Sequence, residues 1–301
     1  MSNNRARRWI SAAAMAVILL GGQAALQAAT QAPAAAALPG AVVTSDQTLF
    51  DSQTPKTAKA LCPAGTRVTG GGGRVNGARH VVLTRLQPVH TNNVDRFEVT
   101  ATEDEVGFDG TWAVQAFAIC AAPIPGLQIV SRSRAAQSNP VDVARANCPA
   151  DKRAIGAGGR ITDGKGQVDL HHLNDALALG RHVDAVGFED STGFGGNWKV
   201  TAYAVCVPTP TFEERRIVLS NSEATDSTDR KIATAVCPSG MRVTGGAAVI
   251  GGNNNPNVVL ESIAPQVFPQ GAPGTQLQVI AKENNPTDAN WFVRAIAYCH
   301  A

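Results

Sequence analysis

The strongest constraint on the fold of this chain is an internal repeat, because one unit of about 86 residues occurs three times. The first unit contains CPAGTRVTGGGGRV from Cys62, the second CPADKRAIGAGGRI from Cys148 and the third CPSGMRVTGGAAVI from Cys237. Each unit ends on the pattern Trp-x-Val-x-Ala-x-Ala-x-Cys. The repeat therefore predicts three equivalent structural modules, and it argues against a search for one active site serving the whole chain.

The first residues of the chain are typical of a secretory signal peptide. Three arginines, Arg5, Arg7 and Arg8, precede an apolar run at residues 10–21 that is shorter than a membrane-spanning helix. Small residues follow this run, so residues 1–29 are predicted to be the signal peptide, with cleavage within residues 28–36. Residues 30–40 then form a linker rich in alanine and proline.

The basic character of the whole chain comes from this leader. The sequence has 26 Lys and Arg residues against 24 Asp and Glu residues, and setting aside the three leader arginines leaves slightly more acidic than basic residues. No Lys/Arg-rich stripe occurs in the remainder, which lacks the charge pattern of a nucleic-acid-binding protein. We therefore expect no nucleic-acid partner, and no membrane span once the signal peptide is removed.

Two cysteines occur in each repeat, separated by 58, 58 and 62 residues. Six cysteines allow 15 pairings, but only pairing within each repeat gives the three units the same internal chemistry. The predicted disulfides are Cys62–Cys120, Cys148–Cys206 and Cys237–Cys299. Disulfides are typical of exported chains, whereas the absence of a Cys-x-x-Cys spacing argues against a zinc site. No metal or cofactor is predicted.

Alternating small residues predict the strands that carry these cysteines. Alanine recurs at every second position before the first cysteine, as in Ala58-x-Ala60-x-Cys62, and the tryptophan motif has the same period before the second. A period of two places each set on one face of a strand. Both strands approach their cysteine in the same chain direction, which fits either parallel neighbours or facing strands of two layers.

The predicted fold class is all-β, because no helical pattern persists beyond the leader. We expect three tandem disulfide-linked antiparallel β-domains, built as sandwiches or Greek-key sheets, that pack against each other with pseudo-threefold symmetry. The repeats are predicted at residues 41–121, 127–207 and 213–301, with five to six strands each. The second repeat has a looser pattern where the first and third have their fifth strand, at residues 97–102 and 277–281.

A glutamate and a tryptophan recur in every repeat and are the candidate ligand-binding residues. Each glutamate ends a strand and is followed by a polar, Gly-rich or Asn-rich loop that leads to the tryptophan. Many sugar-binding sites combine a carboxylate with a stacking aromatic ring, and loops often carry such sites. The candidates are Glu103, Glu189, Glu283, Trp112, Trp198 and Trp291. The alternative favoured by the register is a core role, since each tryptophan shares the face of the alanines and the cysteine.

No catalytic residues are predicted. The six histidines do not recur between repeats, and no His-Glu-x-x-His or Gly-x-Ser-x-Gly segment is present. The glycine run at residues 70–73 lacks the lysine, hydroxyl and following helix of a phosphate-binding loop. We interpret these glycines as sites of a β-bulge or of close backbone approach.

The motifs Cys-Pro-x-Gly-x-Arg-Val-x-Gly-Gly-Gly and Trp-x-Val-x-Ala-[Phe/Tyr]-Ala-x-Cys resemble those of secreted bacterial β-repeat proteins of unassigned activity. The resemblance covers residues 41–301, with departures at Asp151 in the second repeat and at Ala247 and Ala248 in the third. A looser likeness, based on Cys-Pro-x-Gly, is to vitelline membrane outer layer protein I, a three-sheet β-prism. That likeness implies a pseudo-threefold β arrangement and glycan contact.

The sequence therefore predicts a secreted, extracellular, non-enzymatic β-repeat protein. Its expected role is binding or structural, at the cell envelope or outside the cell, and includes glycan recognition. The expected partner is an extracellular glycan or an envelope component. The alternative hypothesis is a secreted hydrolase with a site in one repeat only.

Overall fold

The computed structural model describes residue 38 and residues 40–174, 180–209, 215–252, 255–267 and 274–301. The predicted signal peptide and nearly all of the predicted linker lie outside these residues. The described part of the chain forms 18 β-strands and no α-helix, so the all-β class is confirmed. No helix long and apolar enough to cross a membrane occurs within that part.

The strands form three antiparallel sheets of six strands each. In the order of hydrogen-bonded neighbours, the first sheet contains β1 (Val42–Gln47), β6 (Ala113–Ala121), β3 (Arg67–Asn76), β16 (Val258–Pro265), β17 (Gln276–Glu283) and β14 (Arg230–Val236). The second contains β2 (Lys56–Leu61), β5 (Val94–Glu103), β4 (Val81–Thr91), β9 (Lys152–Thr162), β12 (Lys199–Pro208) and β7 (Gln128–Ser133). The third contains β13 (Arg216–Asn221), β18 (Phe292–His300), β15 (Arg242–Gly251), β10 (Val168–Asn174), β11 (His182–Glu189) and β8 (Val141–Asn147).

Every sheet is shared by two repeats. The first repeat supplies half of the first sheet and half of the second, the second repeat half of the second and third, and the third repeat half of the third and first. At each seam, where strands of two repeats meet within a sheet, only two residue pairs form. At the seam of the second sheet, Arg85 and Leu86 of β4 pair with Arg160 and Gly159 of β9. The three repeats therefore interlock in a closed cycle, which confirms that they pack against each other with pseudo-threefold symmetry.

The second repeat has the same six strands as the other two. Its fifth strand, β11, pairs with β10 along Val168–Asn174 and with β8 along Val141–Asn147. The looser sequence pattern there includes Asp184 and Gly187, yet the backbone forms the ladder because both neighbouring strands are in place. Pairing with two neighbours thus overrides the weak local strand propensity.

Each disulfide joins two different sheets. Cys62 follows β2 of the second sheet and bonds Cys120 in β6 of the first, with 5.7 Å between the Cα atoms. The bonds Cys148–Cys206 and Cys237–Cys299 link the third sheet to the second and the first sheet to the third. The facing-layer arrangement of the alanine and cysteine strands is therefore observed, and all three predicted pairings are present.

Close packing at the pseudo-threefold axis explains the first glycine of each run. Gly70, Gly156 and Gly245 lie at equivalent places in β3, β9 and β15, each next to a bulge in the ladder. A Cβ atom on Gly70 would meet Gly245, one on Gly245 would meet Gly156, and one on Gly156 would meet the backbone at residues 69–70, all within 3.2 Å. The prediction of a bulge and of close backbone approach is confirmed.

Candidate functional site

The recurring glutamates and tryptophans form three internal pairs. The indole N–H of Trp112 donates to Glu103 Oε1 at 2.7 Å, and the same bond joins Trp198 to Glu189 at 2.9 Å. In the third repeat Trp291 donates to Glu283 Oε1 at 3.2 Å. All three rings are 0% exposed. Because a buried ring has no face open to a sugar, this geometry supports the core role that the register favoured and gives no support to stacking on a ligand.

We expect Glu189→Ala to lower the free energy of unfolding by about 1–3 kcal/mol. The substitution leaves the buried indole N–H of Trp198 without an acceptor, and it also removes the Oε2 atom that accepts the Phe194 backbone N–H at 3.0 Å. Glu189→Gln, which keeps one acceptor oxygen, is expected to lower the free energy of unfolding by less than Glu189→Ala does. Urea denaturation measures both, with the exposed Glu223→Ala as control. Equal stability of Glu189→Ala and the control would contradict a structural role for this carboxylate.

The outer faces of the three sheets differ in chemistry at equivalent positions. In the second sheet one row of paired residues crosses all six strands, and every member is polar: Thr57, Thr100, Arg85, Arg160, Thr201 and Ser133. The equivalent row of the first sheet is Ile232, Ile280, Ser262, Arg74, Gln115 and Gln47. That of the third is Val143, Val186, His172, Val249, Arg294 and Asn221. Only the second sheet has a fully polar row.

This polar row points away from the protein interior. The alternate residues on the same strands, such as Ala58, Val99 and Leu86, are buried in the core with at most 1% exposure. Because successive side chains of a strand point to opposite faces, the row itself lies on the outer face. A pair of hydrogen-bonded hydroxyl groups lies at each end of the row. The Oγ1 atoms of Thr57 and Thr100 are 2.8 Å apart, and Ser133 Oγ lies 2.8 Å from Thr201 Oγ1.

Basic residues concentrate on the same face. Around the polar row, the strands of this sheet carry five outward basic side chains, Lys59, Arg85, Arg96, Arg160 and Lys199, and one outward carboxylate, Glu98. Glu98 Oε2 accepts from Arg85 at 2.6 Å and its Oε1 accepts from Arg96 at 2.7 Å. Both oxygens of Glu98 are thus shared between two guanidinium groups. The sequence contains no Lys/Arg-rich stripe because these residues come from five strands and two repeats.

Arg85 and Arg160 are direct cross-strand partners at the seam between the first two repeats. Burial lowers the pKa of Arg85, and the charge of Arg160 lowers it further, while Glu98 opposes the change. Burial raises the pKa of the Tyr203 phenol, although the charges of Arg160 and Arg85 oppose the shift, so the phenol stays protonated at neutral pH. In the described part of the chain Arg160 forms no ion pair with a carboxylate. Like charges directly opposite one another destabilise a sheet, so this pair has a local cost.

A groove continues this face toward the end of the sheet. Its volume is about 520 Å³, and its lining includes Arg67, Gln87, His90, Gln128, Ser131 and Tyr203. Tyr203 lines the groove and lies two residues along β12 from Thr201, the cross-strand partner of Arg160, so the groove adjoins the arginine pair on the same face. Arg67 at its margin is held by Asp95 at 3.1 Å. We call the polar row, the five basic residues and this groove the basic face.

A second polar cluster, in the second repeat only, is buried. His171 Nδ1 lies 3.3 Å from Asp169 Oδ1, and the imidazole stacks on Phe188 with 4.2 Å between ring centroids. Among the residues that the structure describes, neither ring nitrogen of His171 has a hydrogen-bond partner. Burial raises the pKa of Asp169, although His171 opposes the shift. The equivalent positions of the first repeat hold Val82 and Thr84, so the cluster is a local departure from the repeat pattern.

We expect Asp169→Val/His171→Thr, which restores the residues of the first repeat, to raise the free energy of unfolding at pH 7 by about 1–3 kcal/mol. The raised pKa of Asp169 means that the folded state binds its proton more tightly, so wild-type stability falls as pH rises above the unfolded value of 3.8. The gain from the double substitution should therefore shrink toward pH 4. Urea denaturation at pH 4, 5.5 and 7 measures this, and a variant less stable than wild type at pH 7 would contradict it.

No protein-family model matches the sequence, and a search of curated protein sequences gives no significant match.

Proposed function

We propose that this protein works in an oxidising, extracellular setting as a non-enzymatic binding protein for hydroxyl-rich polymers, and that the basic face is its glycan-binding surface. The observation that carries the proposal is the polar row across the second sheet, which has no apolar member, whereas the equivalent rows of the other sheets contain Ile232, Ile280, Val143, Val186 and Val249. A row of this composition gains little from burial against protein and offers polar groups to sugar hydroxyls.

The three disulfides support the extracellular part of this proposal. Disulfides persist in oxidising compartments and are rare where thiols are kept reduced. Since each bridge joins two sheets, the relative position of all three sheets is covalently fixed. A rigid surface loses little conformational entropy on binding, which favours recognition of an extended polymer by a flat sheet face.

The basic face replaces the glutamate and tryptophan residues as the proposed binding site. Those six residues lie at the Trp–Glu hydrogen bonds, so removing Glu103, Glu189 and Glu283 together would weaken the fold itself. A loss of binding in such a triple variant would not distinguish a binding role from unfolding. Substitutions on the outer face avoid this problem.

A glycan array probed with the secreted protein tests the proposal. Thr57→Val/Thr100→Val removes two hydroxyls from the row at nearly constant volume, and we expect at least about a tenfold weaker signal on the glycans that wild type binds. Ile232→Val/Ile280→Val alters the same positions of the first sheet and should bind as wild type. Absence of glycan binding by wild type, or equal binding by all variants, would overturn the proposal and leave a structural role. A hydrolase would instead release products, and one substitution in a single repeat would abolish this turnover.

A further inference from the structure

We infer that the basic face selects polysaccharides carrying carboxylate groups along their chain, and that Arg85 and Arg160 form the subsite for the anionic group. This inference rests on the proposed function and specifies its ligand class. It follows from the placement of two arginines as direct cross-strand partners at the centre of a hydroxyl-lined row, with Tyr203 at a diagonal position on the same face.

The charge balance of the face points to an anionic ligand. Glu98 is the one outward carboxylate on the six strands of this face, and both of its oxygens already accept hydrogen bonds, from Arg85 and Arg96. Arg160 lies opposite Arg85, and Tyr203 occupies the diagonal position on the neighbouring strand β12. A carboxylate placed between Arg85 and Arg160 would relieve the repulsion between them and would accept charge-assisted hydrogen bonds from both.

The other two sheets have no such pair at the same place. Arg74 of the first sheet lies opposite Ser262 and donates to its hydroxyl at 3.3 Å. In the third sheet His172 lies opposite Val249. The paired arginines are thus a feature of one seam out of three. Since the other two seams form with a neutral partner at one of these two positions, the fold does not require the pair of arginines in the second sheet.

The surrounding groups favour a polysaccharide over a nucleic acid. The neighbours of the arginine pair in the row are hydroxyl side chains, Thr100 and Thr201, which suit sugar hydroxyls. Proteins that bind single-stranded nucleic acids use several aromatic platforms for stacked bases. Among the outward residues of the strands that form this face, Tyr203 is the aromatic one.

Binding to polygalacturonate and to its fully methyl-esterified form tests the inference, since the two polymers differ in charge and share one backbone. We expect wild type to bind the charged polymer at least about tenfold more tightly, and we expect added salt to weaken this binding. Arg85→Gln/Arg160→Gln should lose most of this preference. The matched control Arg74→Gln/Arg294→Gln removes the same charge from the equivalent rows of the other sheets and should behave as wild type.

The folding of each variant is checked by thermal unfolding. If the double variant fails to fold, Arg160→Gln alone serves, because Arg160 forms no ion pair among the described residues. Equal affinity of wild type for both polymers overturns the inference about charge and leaves glycan binding in place. A loss of preference that is equal in the control overturns the assignment to Arg85 and Arg160. No binding to either polymer or to any arrayed glycan overturns the proposed function as well, and tighter binding to a DNA oligonucleotide than to polygalacturonate overturns the polysaccharide assignment.

Discussion

Gly156→Ala is expected to lower the free energy of unfolding by at least about 3 kcal/mol. A Cβ atom at this position would lie 2.1 Å from the carbonyl oxygen of Thr69 and 3.1 Å from Cα of Gly70. Both are backbone atoms of another repeat, so no side chain can rotate away to make room. The clash is relieved only by separating β9 from β3, which opens the axis that holds the three repeats together.

Gly195→Ala is the matched control for this substitution. No heavy atom lies within 4 Å of a Cβ atom built at Gly195, and its φ angle is not positive, so alanine fits without strain. Urea denaturation of the two variants and of wild type measures the difference. If Gly156→Ala unfolds at the same denaturant concentration as Gly195→Ala, the three glycines are not the close contact on which the axis depends.

The local features of the fold could be predicted from the sequence because the chain repeats them three times. The alternation of alanines up to Cys62 and Cys120 indicated two strands that are either parallel neighbours or members of two facing layers, and the structure places them in two sheets joined by that cystine. The glycine runs indicated close backbone approach, which occurs at Gly70, Gly156 and Gly245. These features depend on side-chain size and on a period of two, both of which are read directly along the chain.

The sharing of sheets between repeats could not be predicted in this way. A period of two assigns a residue to one face of a strand, but it does not say which strand becomes its neighbour. A repeat folded alone and a repeat interlocked with two others have the same pattern, since both bury the same faces. The seam between β4 and β9 pairs only Arg85 and Leu86 with Arg160 and Gly159, and nothing in the local sequence marks it.

The basic face was missed for the same reason. Arg85 and Arg160 are 75 residues apart and belong to different repeats, so no local charge run contains them. The candidate residues Glu103 and Trp112 were found instead because recurrence was the available signal. Recurrence identifies what all three repeats need, and here that is a buried hydrogen bond. A binding surface present once must be found from the pairing of strands.

The second large effect is expected from removal of one disulfide. Cys148→Ala/Cys206→Ala should lower the free energy of unfolding by about 4 kcal/mol in the chain-entropy model, because the bond closes a long loop in the unfolded chain. The bridge spans 58 residues and is the disulfide that joins the second and third sheets. Loss of this disulfide should leave the sheets assembled at room temperature, because the shared core and the two other bridges remain.

The three bridges are expected to contribute almost equally to the free energy of unfolding. Comparing all three tests the interlocked fold more sharply than removing one bridge does. Their loops span 58, 58 and 62 residues, and each bridge joins a different pair of sheets in the closed cycle. Alanine pairs at each bridge, measured one at a time by urea denaturation of the otherwise oxidised protein, should agree within about 1 kcal/mol because loop-closure entropy depends weakly on length. If the repeats folded independently, removal of one bridge would instead shift the unfolding transition of that repeat alone and would leave the transitions of the other two unchanged. One cooperative transition that shifts by a similar amount in all three variants is the result that the closed cycle requires.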